Sequence, residues 1–75
     1  MVMTMELFLK AVGTKVALLR KARSLNQKKA SGRAGISYRY FQSIESGRVN
    51  VTVATLFRLA KLLDVDIVEI LPTKQ

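Results

Sequence analysis

A chain of 75 residues has the length of one domain with a small core, and an apolar fraction of 49% is enough to fold it rather than leave it disordered. With no cysteine and no histidine there is no disulfide, no thiolate metal site and neither the commonest general base nor the commonest metal ligand. Five carboxylates alone leave almost nothing to catalyse with, so neither an enzyme nor a cofactor or metal site is expected.

The net charge of +8 is unevenly spread. Residues 10–48 hold ten Lys/Arg and one acid, Glu45, whereas residues 49–75 hold three of each sign. A basic stripe beside a neutral C-terminal part is the footprint of a polyanion partner. The longest unbroken apolar run, Val16–Leu19, is four residues, so no membrane span is expected. The opening MVMTMELFLK lacks a basic n-region and a small-residue cleavage site, and is not read as a signal peptide.

In chain order, Met5, Phe8, Val12, Val16 and Leu19 recur at intervals of three and four, predicting a first helix over Met5–Arg23 with Thr4 as its N-cap. Gly13 is a candidate break or bend within it. A second, short helix starts after Asn26 and ends near Arg33. Gly35 supplies a tight turn, Ser37 caps a third helix over 38–46, and Gly47 ends it. Thr52 caps a fourth helix, 53–63, with Val53, Leu56, Phe57, Ala60 and Leu63 facing the core. Asp66 and Glu69 form a D-x-x-E capping pattern for a fifth helix, 67–71, before Pro72. No segment alternates with period two, so the expected fold is all-α, a compact five-helix bundle forming a single domain.

Residues 27–44 have the layout of two helices crossing through a three-residue turn. Ser31 is the small residue at the crossing, Gly35 tolerates the turn conformation, and Ala30, Ala34, Ile36, Phe41 and Ile44 face a shared core. This is the helix-turn-helix pattern, formed by helices 2 and 3. On the third helix Phe41 and Ile44 point inward with Tyr40 on the flank, and Tyr38, Arg39, Gln42, Ser43 and Ser46 point outward. Core packing does not account for the outward set, but base reading does. Arginine donates two bonds to guanine O6/N7, glutamine pairs with adenine N6/N7, and serine accepts either role. Tyrosine meets a thymine methyl with its ring and a phosphate with its hydroxyl. Arg39 lies at the helix start, which docks deepest in the groove.

The stretches "LNQKKASGRAGIS", "YFQSIESG" and "TLFRLAKLLDV" together resemble the Cro/C1-type (XRE-like) helix-turn-helix regulators, which include small phage repressors and the controller proteins of restriction–modification systems. The resemblance covers residues 12–71. It departs from the family at Ala30-Ser31, where a large apolar residue and Ala are usual, and at Val51, where a proline is frequent. It implies a cytoplasmic, nucleoid-associated regulator, bacterial or encoded on a phage or plasmid, that binds a palindromic operator on double-stranded DNA. It also implies base contacts from the positions of Tyr38, Arg39 and Ser43. Phosphate contacts are implied from Asn26, Gln27, Tyr40 and Gln42, although the chemistry of Gln42 suits a base edge. Lys28 and Arg48 flank the reading helix and are assigned to phosphates. Glu45, a lone acid in a positive region, is expected to be paired, and the family places an Arg–Glu salt bridge at the positions of Arg20 and Glu45.

A module of this size reads few base pairs, so a homodimer is expected, with half-sites about 34 Å apart. The expected contact uses helices 4 and 5, through Leu59, Leu62, Ile67, Val68, Ile70 and Leu71, in the part of the chain where charge balances. Two rival readings stand beside this one. "GRAG" at Gly32–Gly35 matches the G-x-x-G loop of RNA-binding KH domains, but the flanking strands are missing. An antitoxin, or another protein-interaction module using the apolar helices 4 and 5, would bind DNA only secondarily.

Overall fold

The structure is a computed structural model that describes residues 2–72. Four α-helices follow one another: α1, Met5–Ala22; α2, Gln27–Ala34; α3, Tyr38–Glu45; and α4, Val53–Leu63. Four polar side chains start them. Thr4 Oγ1, Asn26 Oδ1, Ser37 Oγ and Thr52 Oγ1 accept the N–H of Leu7, Lys29, Tyr40 and Thr55 at 3.1, 2.7, 3.0 and 3.1 Å. Each satisfies a donor that the helix itself leaves free. Left-handed residues stop or separate them: Gly35 (φ 72°) closes α2 and Gly47 (φ 76°) follows α3, while Asp64 (φ 56°) closes α4 without the freedom of a glycine.

The expected fifth helix is a single 3₁₀ turn, Ile67–Glu69, so the described residues form four α-helices and no strand. The turn's backbone closes by i→i−3 bonds, the Glu69 N–H to the Asp66 carbonyl at 2.9 Å and the Ile70 N–H to the Ile67 carbonyl at 3.0 Å, and Pro72 has no N–H with which to extend it. Asp66 has the extended backbone of an N-cap, but its side chain makes no capping hydrogen bond.

Gly13 neither breaks nor bends α1 into two pieces. It is buried where α1 meets the C-terminal end of α3, and a Cβ there would lie 2.4 Å from the Ile44 carbonyl oxygen and 2.5 Å from that of Glu45. The glycine permits a backbone-to-backbone approach. The core consists of Val12 and Val16 from α1, Ala30 and Ala34 from α2, Phe41 and Ile44 from α3, Leu56, Leu59, Ala60 and Leu63 from α4, and Ile70. Phe8, Leu19, Ile36 and Tyr40 pack against it from the side, whereas Met5, expected on the inner stripe, is exposed. Phe41 and the small Ala30 are both fully buried in this core, and Ser31, also buried, satisfies its hydroxyl by donating to the Lys28 carbonyl at 2.8 Å.

The inward face of α4 differs from the expected one. Val53 and Phe57 are 67% and 57% exposed, and Thr55 and Leu59 take the inner positions. Apolar residues surround α4 on most sides, so the apolar pattern alone does not fix its rotation. The Thr52–Thr55 pair helps fix it: Thr55 is buried with its hydroxyl 3.0 Å from the Thr52 hydroxyl. Two residues assigned to a dimer contact are corrected by the same packing. Leu59 and Ile70 are fully buried in this core and have no surface to offer a partner. Leu62, Ile67 and Leu71 are half-buried, and Val68 is exposed.

Candidate nucleic-acid interface

The local sequence of α3 dictates what it presents. Phe41 and Ile44, three residues apart, anchor one side to the core, which turns Tyr38, Arg39, Gln42 and Ser46 to the exterior and leaves Ser43 half-exposed. Arg39, Gln42, Ser43 and Ser46 line a wide polar trough of about 540 Å³, together with Gln27 from the start of α2 and Arg48 from the loop after α3. Tyr38 stands exposed at the first position of α3. The trough thus collects donors from three segments around one exposed helix, and its charged groups are arginines.

Behind this face a chain of polar contacts fixes α3 to the rest of the molecule. Arg20 Nε donates to Glu45 Oε2 at 2.6 Å and Arg20 Nη2 to Glu45 Oε1 at 3.1 Å, a two-point guanidinium–carboxylate pair. The third limb, Nη1, donates to the Leu25 carbonyl at 2.8 Å. The two side chains are only 10% and 7% exposed. Gln27 Nε2 donates to Glu45 Oε1 at 2.8 Å, and Gln27 Oε1 accepts from Gln42 Nε2 at 3.5 Å. A continuous path therefore runs from the buried pair through Gln27 to an outward side chain of α3. The sequence reading did not foresee the Gln27 links, because residues eighteen and fifteen positions apart show no local pattern.

The remaining assigned positions fall around this centre. Asn26 is exposed, and its side-chain oxygen caps α2, which leaves its amide nitrogen as a donor. Lys28 is exposed on the first turn of α2, Arg48 is exposed in the loop, and Tyr40 is half-buried against the core. Arg33, Arg58 and Lys61 surround a separate cleft beside Gly35, where Arg58 Nη1 donates to the Gly35 carbonyl at 3.3 Å. Among the described residues no helix is long and apolar enough to cross a membrane, and no group of His, Asp or Glu is placed to hold a metal ion.

Two short helices crossed through a glycine turn, the second presenting arginine, glutamine and serine outward, define a helix-turn-helix DNA-binding unit. The helix-turn-helix family model HTH_3 matches residues 16–70. The chain is 43% identical over 67 residues to the uncharacterized HTH-type transcriptional regulator y4dJ of Sinorhizobium fredii (strain NBRC 101917 / NGR234), which spans 88% of this chain and 87% of that one. The crystal structure of the restriction-modification controller protein C.AhdI from Aeromonas hydrophila is similar with a TM-score of 0.81 at 29% identity, over 83% of this chain and 94% of that chain. An HTH_3 family transcriptional regulator from Vibrio cholerae gives a TM-score of 0.85 at 27% identity, over 89% of this chain and 38% of that one. The chain belongs to this helix-turn-helix family, of the Cro/C1 (XRE) type, and is a DNA-binding transcriptional regulator.

Proposed function

We propose that the protein occupies a palindromic operator as a homodimer, acting as a repressor in the cytoplasm, with α3 in the major groove of each half-site. Tyr38, Arg39, Gln42 and Ser43 meet base edges. Asn26, Gln27, Lys28, Tyr40 and Arg48 meet phosphates on either side. The observation that carries this reading is the trough itself, in which Arg39 and Arg48 bracket Gln42, Ser43 and Ser46 on an exposed helix. Two arginines supply bidentate donors for guanine or phosphate, and the amide and hydroxyls supply the sequence-reading groups. Gln27, held between Glu45 and Gln42, orients Gln42.

The dimer face we propose lies on Val53, Phe57 and Val68, the exposed large hydrophobic residues beyond α3, with Ile67 and Leu71 at its margin. Leu62 contributes less than its sequence position implies, since it borders the cleft lined by Arg33, Arg58 and Lys61, where like charge opposes self-association. Selection of bound sites from random duplex DNA tests the whole reading. It should enrich an inverted repeat with half-sites about one helical turn, near 34 Å, apart. Recovery of sequences with no shared motif would overturn it.

A further inference from the structure

Helix α1 is apolar on two opposite faces. The inner one, Val12 and Val16 with Phe8 and Leu19, packs on the core. The outer one carries Leu7, Ala11, Thr14 and Leu18, at intervals of four, three and four. At about 100° per residue these four fall within an arc of about 60°, roughly opposite Val16. Intervals of this kind are those of a coiled-coil seam. Leu7 and Leu18 are 47% and 61% exposed. Between them the small Ala11 and Thr14, with Lys10, Lys15 and Leu18, line a shallow, mostly apolar depression of about 350 Å³. A single exposed leucine is ordinary. Two leucines aligned on one face of a helix, with small residues leaving a trough between them, form a surface that receives the ridge of another helix. None of these residues belongs to the DNA-facing trough or to the proposed dimer face.

We infer that this outer face of α1 docks an amphipathic helix of a partner protein whose apolar stripe is flanked by carboxylates. The charge around the seam selects that occupant. Lys10 lies on one side of the stripe and Lys15 on the other, with Lys21 toward the C-terminal end. The one acid of α1, Glu6, lies off the stripe. An antiparallel second copy centred between Ala11 and Thr14 would bring Lys10 beside Lys10 on one side of the seam and Lys15 beside Lys15 on the other, and a parallel one would set Lys10 against Lys15 on both sides, in each case with no acid among them. Like charges beside a seam oppose pairing, and opposite charges at the same flanking positions favour it. One seam of about three turns buries less than a standard interface, so the complex is a weak, reversible one. This inference does not rest on the operator reading.

The test uses the full chain and a labelled, designed helical peptide with leucines at seam positions and glutamates flanking them, followed by fluorescence anisotropy. Binding in the micromolar range is expected. A peptide with lysine in place of each glutamate should bind at least about tenfold more weakly, as should an acidic peptide of equal charge with its leucines scrambled out of register. The exposed double substitution Leu7→Ser/Leu18→Ser should lose about tenfold with an unchanged thermal melt and unchanged DNA affinity. Lys10→Glu/Lys15→Glu should reverse the preference between acidic and basic peptides. Equal binding of the scrambled peptide would overturn the proposal, because charge alone would then suffice. So would a dimer in sedimentation that Leu7→Ser/Leu18→Ser dissociates, which gives the face to a second copy. Binding to anionic phosphatidylserine vesicles without binding to the peptide would give it to a lipid surface instead.

Discussion

Replacing Glu45 with alanine strands a buried guanidinium. Arg20 would keep one partner, the Leu25 carbonyl, and lose both bonds to the carboxylate, while Gln27 Nε2 would lose its acceptor. With the two side chains 10% and 7% exposed, solvent screens this pair little, and the loss falls in the range for breaking a buried pair, about 3–5 kcal/mol. A domain of this length has a total stability of about 4–11 kcal/mol. At roughly 4–8 °C per kcal/mol, Glu45→Ala should lower the Tm by at least about 12 °C. Thermal and urea melts followed by circular dichroism would measure this, with an unchanged urea m-value showing that the denatured state is not the cause. The double variant Arg20→Met/Glu45→Leu removes both charges and should recover most of the loss, because the cost arises from the charge left behind. A Glu45→Ala melt within about 2 °C of the parent would refute the reasoning, since it would place Arg20 in water.

Arg39→Ala should weaken cognate DNA by about 1–3 kcal/mol and relax preference at one base position, whereas Lys28→Ala should weaken all sequences alike, as read by quantitative binding to cognate and randomised duplexes. If a dimer neutralises about 6–10 phosphates, log K against log salt should fall with a slope of about −5 to −9, and a flat plot would remove DNA as the ligand. Gly13→Ala should destabilise by about 1–3 kcal/mol, although alanine is the better helix former, because its Cβ meets the Ile44 and Glu45 carbonyls at 2.4 and 2.5 Å; a stabilised variant in a urea melt would contradict this packing. Phe57→Glu should leave the melt of the protomer nearly unchanged and shift sedimentation toward monomer, and a persisting dimer would move the interface elsewhere.

Helix positions were legible in the sequence because their determinants are local. Thr4, Asn26, Ser37 and Thr52 each bond a backbone N–H three residues on, and Gly35 takes the left-handed conformation its turn requires. The outward set of α3 was legible for the same reason, since Phe41 and Ile44 fix the helix's rotation. What escaped depends on neighbours distant in the chain. Gly13 reads as a helix breaker until the carbonyl ends of α3 lie against it. The rotation of α4 was misread because Val53, Leu56, Phe57, Leu59, Leu62 and Leu63 offer apolar groups in several directions, and a buried threonine joins the inner face. Ile70 reads as a contact residue because a helix of one turn cannot bury Ile67, Val68, Ile70 and Leu71 together, yet it is the one of the four that closes the core.

Glu45 is the only carboxylate in residues 10–48, and Arg20 cancels it inside the fold. What remains outward along that stretch is cationic, with nothing to discourage contact with arbitrary duplex. Most copies in a cell would therefore ride on bulk chromosomal DNA, and few would be free. Occupancy of the proposed operator then follows the ratio of specific to indiscriminate affinity, multiplied by copy number, rather than the dissociation constant of that site alone. A substitution that adds a lysine to this face would tighten the complex with such a site in a test tube and yet leave the site no better covered in a cell.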